Sequence, residues 1–199
     1  FSPYKRSLSR STIEESQQNY AEVLQWINNT TEVDSVIFSH LAFMQLVPVY
    51  THANVYYSEN APYLLGSDKE VIERTLLSHF FDINEFKARN FGLGEVPRIL
   101  WTQPAMIERN THRLHDFFGI AYKKQYTLER ELALVRSVHT ELASGGWDVN
   151  VLRRYELDYL VWDRSLFPEW NVEQYPEFEK VYEKGDVAVF SFKDFNYGN

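Results

Sequence analysis

The chain contains no cysteine among its 199 residues. Disulfide bonds, thiolate nucleophiles and zinc or iron–sulfur sites built on cysteine are therefore excluded. The lack of thiols does not fix the compartment, although it suits an oxidising one. Stability must come from a packed core, and hydrophobic residues at 44 % of the chain are enough to form one.

An excess of positive charge is also absent, because the formal net charge is -8. Binding to nucleic acid requires a basic face that neutralises phosphates. Local basic clusters, such as Lys5, Arg6 and Arg10 or Arg153–Arg154, are short. We therefore expect no nucleic-acid partner.

The common catalytic motifs are missing as well. The sequence has no GxSxG elbow, no P-loop, no HExxH and no GxGxxG after its first predicted strand. Paired carboxylates such as Asp158 and Asp163 occur, but their spacing does not place two of them across a cleft. The sequence accordingly predicts no catalytic residue and no cofactor.

One segment, Ser35–Ser58, lacks Asp, Glu, Lys and Arg altogether. Its length approaches that of a membrane span. His40, Gln45 and His52 interrupt it, and a bilayer centre disfavours such polar groups. We interpret it as two buried strands, at 35–39 and 53–58, joined by a helical turn or two at 40–47 that Pro48 helps to stop. Two strands with a short crossover indicate a parallel sheet.

The remaining pattern completes an α/β protein. Overlapping capping boxes, Ser11 with Glu14 and Thr12 with Glu15, predict a helix that reaches about Ile27. Further elements are predicted as follows: helices at 69–81, 84–91, 104–118, 127–143 and 148–154, a Gly/Pro loop at 92–98, strands at 99–101 and 157–162, and a terminal β-hairpin at 178–183 and 187–192.

The predicted fold class is thus α/β: a three-layer, Rossmann-like mixed sheet with a parallel core, a C-terminal β-hairpin and a helical insertion around 99–144. The predicted domains are a linker over 1–10 and one domain over 11–199.

The best geometric candidate for a site lies where the parallel strands end. Ligands of doubly wound sheets sit beyond the carboxyl ends of the strands. Ser39 and His40 follow the first strand, and Asp163 and Arg164 follow the strand at 157–162. These four residues are predicted to bind a ligand there, with helix capping and backbone hydrogen bonding as the alternative.

Two weaker candidates remain. Glu108, His112 and His115 are spaced to share one helix face, but no further ligand is evident, so a solvated helix face is the stronger interpretation and no metal is predicted. The many aromatic residues are expected mostly in the core, with an exposed patch for carbohydrate or a membrane interface as the alternative. The clusters concerned are Tyr56–Tyr57, Trp147, Trp162, Trp170 and Tyr175.

The ordered motifs resemble the soluble C-terminal domain of polytopic bacterial membrane proteins of the GT-C glycosyltransferase type. They are Trp26–Ile27, Asp34–Ser39, Leu46–Thr51, Val55–Tyr57, Arg154–Val161 and Phe178–Phe190. The likeness covers residues 12–81 and 147–192 and leaves 92–146 unmatched.

The resemblance implies a domain on the extracytoplasmic face of a membrane, whose partners are the membrane-embedded part of the same chain and a glycan or lipid-linked sugar. In such enzymes the catalytic acids lie among the transmembrane helices, so none is carried over to this chain. Beginning at Phe1-Ser2-Pro3 without Met, the chain is expected to be part of a longer protein.

We therefore expect a non-catalytic accessory domain of a membrane-embedded, glycosyltransferase-like protein. Two alternatives stay open. One is a free-standing enzyme with its site near His40 and Asp163. The other is a protein-interaction module that uses the helices within 99–144.

Overall fold

The computed structural model describes residues 10–58, 67–83, 103–120 and 128–192, with the side chains of 20–58, 67–83, 110–120 and 133–192. Contacts divide the chain into two compact units. Unit 1 comprises Phe1–Tyr56 and Tyr155–Asn199, and unit 2 comprises Tyr57–Arg154. The predicted linker at 1–10 lies almost entirely outside the described residues, and the predicted domain boundaries stay a prediction.

Unit 1 is built on a five-stranded mixed sheet with the order β2-β1-β3-β5-β4. The strands are β1 (Val36–Phe38), β2 (Asn54–Val55), β3 (Leu157–Asp163), β4 (Phe178–Lys184) and β5 (Val187–Phe192). β1 pairs in parallel with β2 and β3, whereas β5 pairs antiparallel with β3 and β4. The predicted parallel core and terminal hairpin are confirmed.

The hairpin forms where the sequence places a glycine between two alternating runs. Lys184 pairs with Val187 across the turn. Gly185 adopts a φ of 58°, a left-handed conformation that glycine accepts without the steric penalty of a Cβ.

A long helix, α1 (Arg10–Thr30), covers one face of the sheet. Its apolar stripe Tyr20, Val23, Leu24 and Ile27 is buried in a cluster that includes Ile37, Val161 and Val189 from three strands. The opposite face carries Phe38, whose ring lies 5.8 Å from that of Trp170 in the 3-10 turn Pro168–Trp170. The predicted three-layer α/β class is confirmed, because side chains of helical segments cover both faces.

The charge-free segment folds as two short helices between β1 and β2. They are α2 (Leu41–Met44) and α3 (Val47–Tyr50). The expectation that Pro48 stops a single helix is wrong: Pro48 lies in the first turn of α3, where the missing N–H has no helical partner to lose. Among the residues described, no helix is long and apolar enough to cross a bilayer.

The described helices of unit 2 are α4 (Asp68–Ser78), α5 (Gln103–Phe117) and α6 (Leu128–Ser144), so the helical insertion is confirmed. Ser67 caps α4 by accepting a hydrogen bond of 3.2 Å from the Glu70 N–H. α4 packs against α6 through buried side chains, and Lys69 lies 2.9 Å from Glu141.

Two predicted helices differ from those observed, and three further predicted elements cannot be compared. The helix predicted at 69–81 ends at Ser78. The helix predicted at 148–154 is a 3-10 helix, Val149–Tyr155. The predicted helix at 84–91, loop at 92–98 and strand at 99–101 lie outside the described residues.

Candidate functional site

The carboxyl ends of β1 and β3 lie side by side, because the two strands are parallel neighbours. Ser39 and His40 follow β1, Asp163 ends β3 and Arg164 comes next. The four residues predicted from the sequence therefore start from one edge of the sheet. Their side chains then take different directions.

Tyr20 of α1 joins two of them. Its hydroxyl donates a hydrogen bond of 2.6 Å to Asp163 Oδ2 and lies 3.3 Å from His40 Nε2. The hydroxyl proton is committed to the carboxylate, so a hydrogen bond between the tyrosine oxygen and His40 requires the tautomer with the proton on Nε2. We call these three residues the edge cluster.

The second carboxylate oxygen of Asp163 is also occupied. Oδ1 accepts hydrogen bonds from the Ser165 N–H at 3.0 Å, the Ser165 hydroxyl at 2.6 Å and the Leu166 N–H at 3.2 Å. This is the pattern of an Asx turn, in which an aspartate shapes the chain that leaves the strand. Every oxygen of this carboxylate therefore already has a donor from the protein.

His40 is enclosed by aromatic rings. Its exposed fraction is 7 %, and its ring stacks on Phe167 at 5.0 Å with a further contact to Phe43 at 6.2 Å. Burial lowers the pKa of His40 to about 4, since a charged imidazole is costly away from water, and the negative charge of Asp163 opposes this only in part. His40 is therefore neutral at physiological pH.

Tyr20 is equally unsuited to give up its proton. Burial, then the hydrogen bond to Asp163 and then the charge of that carboxylate all raise the pKa of Tyr20 above its ordinary value. Neither the imidazole nor the phenol of the edge cluster therefore has a pKa near neutrality, where general acids and bases work best.

Ser39 and Arg164 do not join the edge cluster. The fully buried Ser39 hydroxyl donates to the Val161 carbonyl at 2.7 Å. The Arg164 guanidinium turns to the hairpin, where it donates to the Gly185 carbonyl at 2.7 Å and to the Glu183 carboxylate. Both side chains thus donate to backbone carbonyl groups of β3 or of the hairpin turn.

Only part of the possible metal-binding group on α5 lies among the described side chains. His112 Nδ1 lies 2.8 Å from Asp116 Oδ2, a pairing of residues four apart on an exposed helix face. The side chain of Glu108 lies outside the described residues, and His115 is half-buried. Among the described side chains, no three His, Asp or Glu groups converge as metal ligands would.

The aromatic clusters singled out from the sequence lie largely inside the protein. Tyr56, Trp162 and Trp170 are at most 5 % exposed. Trp147 is half-buried and stacks on Phe80 at 5.6 Å. Most of these rings therefore belong to the core.

No family model matches this chain, and no curated protein or solved structure matches it either.

Sequence reasoning missed two features. The first is the contact of Tyr20 with Asp163: Tyr20 lies in the apolar stripe of α1, and nothing in its neighbourhood along the chain indicates a partner 143 residues away. The second is a group of exposed apolar side chains around Phe117–Phe118 at the end of α5. A sequence signal for it exists, since two phenylalanines stand directly before the helix-ending Gly119.

Proposed function

We propose that this chain is an accessory domain of a membrane-embedded, glycosyltransferase-like protein, that it is non-catalytic by itself, and that it lies on the extracytoplasmic face of the membrane. Its partners in this proposal are the membrane-embedded part of the same chain and an acceptor glycan or lipid-linked sugar. The order of its elements, with a helix, a parallel strand, the Leu157–Asp163 strand and a closing hairpin, is the order expected from the resemblance.

The observation that carries the non-catalytic part is the closed hydrogen-bonding of the edge cluster. A ligand site of a sheet of this kind would lie at this edge. Here His40 and Asp163 are 7 % and 6 % exposed and are tied to Tyr20. This supports a structural role for the cluster and weakens the alternative of a free-standing enzyme with its site at His40 and Asp163.

A second candidate, an interaction module, is favoured by a different observation. Leu114, Phe117, Phe118 and Ile120 at the end of α5 are all more than half exposed. Large apolar side chains that cluster on a protein surface mark a contact with another molecule more often than single exposed ones do. An accessory domain that contacts a membrane or a partner would explain these exposed apolar side chains as well.

The first test concerns the parent protein. We expect the full reading frame that contains this chain to encode several apolar segments of about 20 residues, each long enough to span a bilayer. A frame without such segments would refute the proposed parent.

The second test separates structural from catalytic roles in that full-length protein. His40→Phe and Tyr20→Phe remove the polar atoms of the edge cluster and keep the rings. We expect transfer of sugar from a polyprenyl-phosphate-linked donor to follow only the folded fraction, as it should for Phe43→Leu, the apolar control beside the cluster. A loss of a hundredfold or more in kcat with an unchanged melting temperature, on the order of a lost general acid or base, would contradict the proposal.

A further inference from the structure

The end of α5 gathers four large apolar side chains at the surface of unit 2. The exposed fractions are 58 % for Leu114, 82 % for Phe117, 66 % for Phe118 and 56 % for Ile120. The rings of Phe117 and Phe118 meet edge to face at 5.1 Å. We call these four residues the α5 tip.

The helix end itself brings the α5 tip together. Gly119 has a φ of 65°, its N–H donates to the Asp116 carbonyl at 3.2 Å, and the Ile120 N–H donates to the His115 carbonyl at 2.9 Å. This is a Schellman motif, which commonly folds the residue after the glycine back onto the last turn of the helix. Ile120 thereby returns toward the turn that carries Leu114, and the backbone conformation of the helix end positions the side chains of the α5 tip.

The sequence of the α5 tip and its flank, residues 110–124, differs in charge from the protein as a whole. It contains Arg113 and a single acidic residue, Asp116, which pairs with His112 at 2.8 Å. In the sequence, Lys123 and Lys124 follow Ile120 closely. The stretch therefore carries a net positive charge, in a chain whose formal net charge is -8.

The α5 tip by itself is smaller than a stable protein interface. With roughly 200 Å² for each large side chain, the observed exposures amount to about 500 Å² of apolar surface. A stable protein interface needs about 800 Å² from each partner. Aromatic and aliphatic side chains beside basic residues are instead the composition that partitions into the interface of an anionic bilayer.

We propose that the α5 tip inserts Leu114, Phe117, Phe118 and Ile120 into the interfacial region of a lipid bilayer that contains anionic headgroups. The inference does not depend on the proposed parent protein, because it concerns this surface alone. A bilayer contact of this kind holds unit 2 at a membrane without any segment that crosses it.

The test is co-sedimentation of the 199-residue chain with vesicles of phosphatidylcholine, with and without phosphatidylglycerol. We expect binding to the vesicles that contain phosphatidylglycerol. The double variant Phe117→Ser/Phe118→Ser should weaken it on the order of tenfold for each ring removed. The matched control Val49→Ser/Tyr50→Ser, an exposed apolar pair of unit 1, should leave binding unchanged.

Charge and insertion are tested separately. Lys123→Ala/Lys124→Ala should weaken binding by about fivefold for each lysine on anionic vesicles and have little effect on neutral ones. Phe118→Trp should show a blue-shifted fluorescence maximum with vesicles, whereas Val49→Trp should not.

Three results would overturn the proposal: no vesicle binding by the unaltered chain, equal binding by Phe117→Ser/Phe118→Ser, or a dimer in light scattering that this double variant abolishes. The last result would assign the tip to a second copy of the chain.

Discussion

Acidification should destabilise unit 1 through His40. Its pKa lies at about 4 in the folded protein against 6.5 for the ordinary side chain, so the folded state disfavours protonation. The stabilisation is fully present above pH 6.5 and is lost as the pH falls from there to about 4, because the unfolded chain takes up the proton first. At about 1.4 kcal/mol for each pH unit, complete protonation costs about 3 kcal/mol.

The assay is urea unfolding followed by tryptophan fluorescence between neutral pH and about pH 4.5, where most of this loss is complete. Acidic groups also titrate in this range, so the informative quantity is the difference between the protein and His40→Phe. That variant keeps a ring against Phe167, which His40 stacks on at 5.0 Å, and has no proton to gain. The decrease in the free energy of unfolding on acidification should be about 2 to 3 kcal/mol smaller in the variant.

His112→Phe is the control, because His112 is exposed on α5 and its replacement leaves the buried imidazole in place. It should retain the full pH dependence. A His40→Phe variant with the same pH dependence as the unaltered protein, or a His40 ring whose NMR resonances titrate near pH 6.5, would show that His40 is not the source of the acid sensitivity.

Three further substitutions test individual contacts. Phe43→Ala should destabilise the protein by about 3 to 5 kcal/mol in urea unfolding, because Phe43 is fully buried in the core beneath α1, and a cost below 1 kcal/mol would contradict this packing. Ser39→Ala should lower the free energy of unfolding by about 1 kcal/mol, because it removes the hydrogen bond to the Val161 carbonyl. A loss of the parent protein's activity without such a loss of stability would argue for a role of Ser39 in binding. Gly119→Ala should strain the left-handed helix end by about 1 kcal/mol although no atom obstructs the added methyl group, and unchanged hydrogen exchange at Ile120 would speak against the Schellman motif.

Much of the fold could be predicted because its signals are local. Apolar residues at Tyr20, Val23, Leu24 and Ile27 recur with the helical period, and the structure buries all four. The hairpin followed from two alternating runs around Gly185. The error at Pro48 has a local cause as well, since the same proline suits the end of one helix or the first turn of the next.

The candidate site was predictable only in outline. That Ser39, His40, Asp163 and Arg164 start from one sheet edge follows from two parallel strands. Their roles depend on the directions in which the side chains point, and the spacing of residues along the chain does not encode those directions. Arg164 turns to the hairpin because β5 lies beside β3 and brings Gly185 within reach, and that strand order is a property of the assembled sheet.

Patterns among residues a few positions apart were enough to predict the periodic elements and the mixed sheet, and composition was enough to exclude cysteine chemistry. The contact of Tyr20 with Asp163 over 143 residues and the neutral state of His40 among aromatic rings follow from the assembled fold. Both outcomes depend on which groups are buried next to each other away from water. Such burial arises only when segments that are distant in sequence pack together.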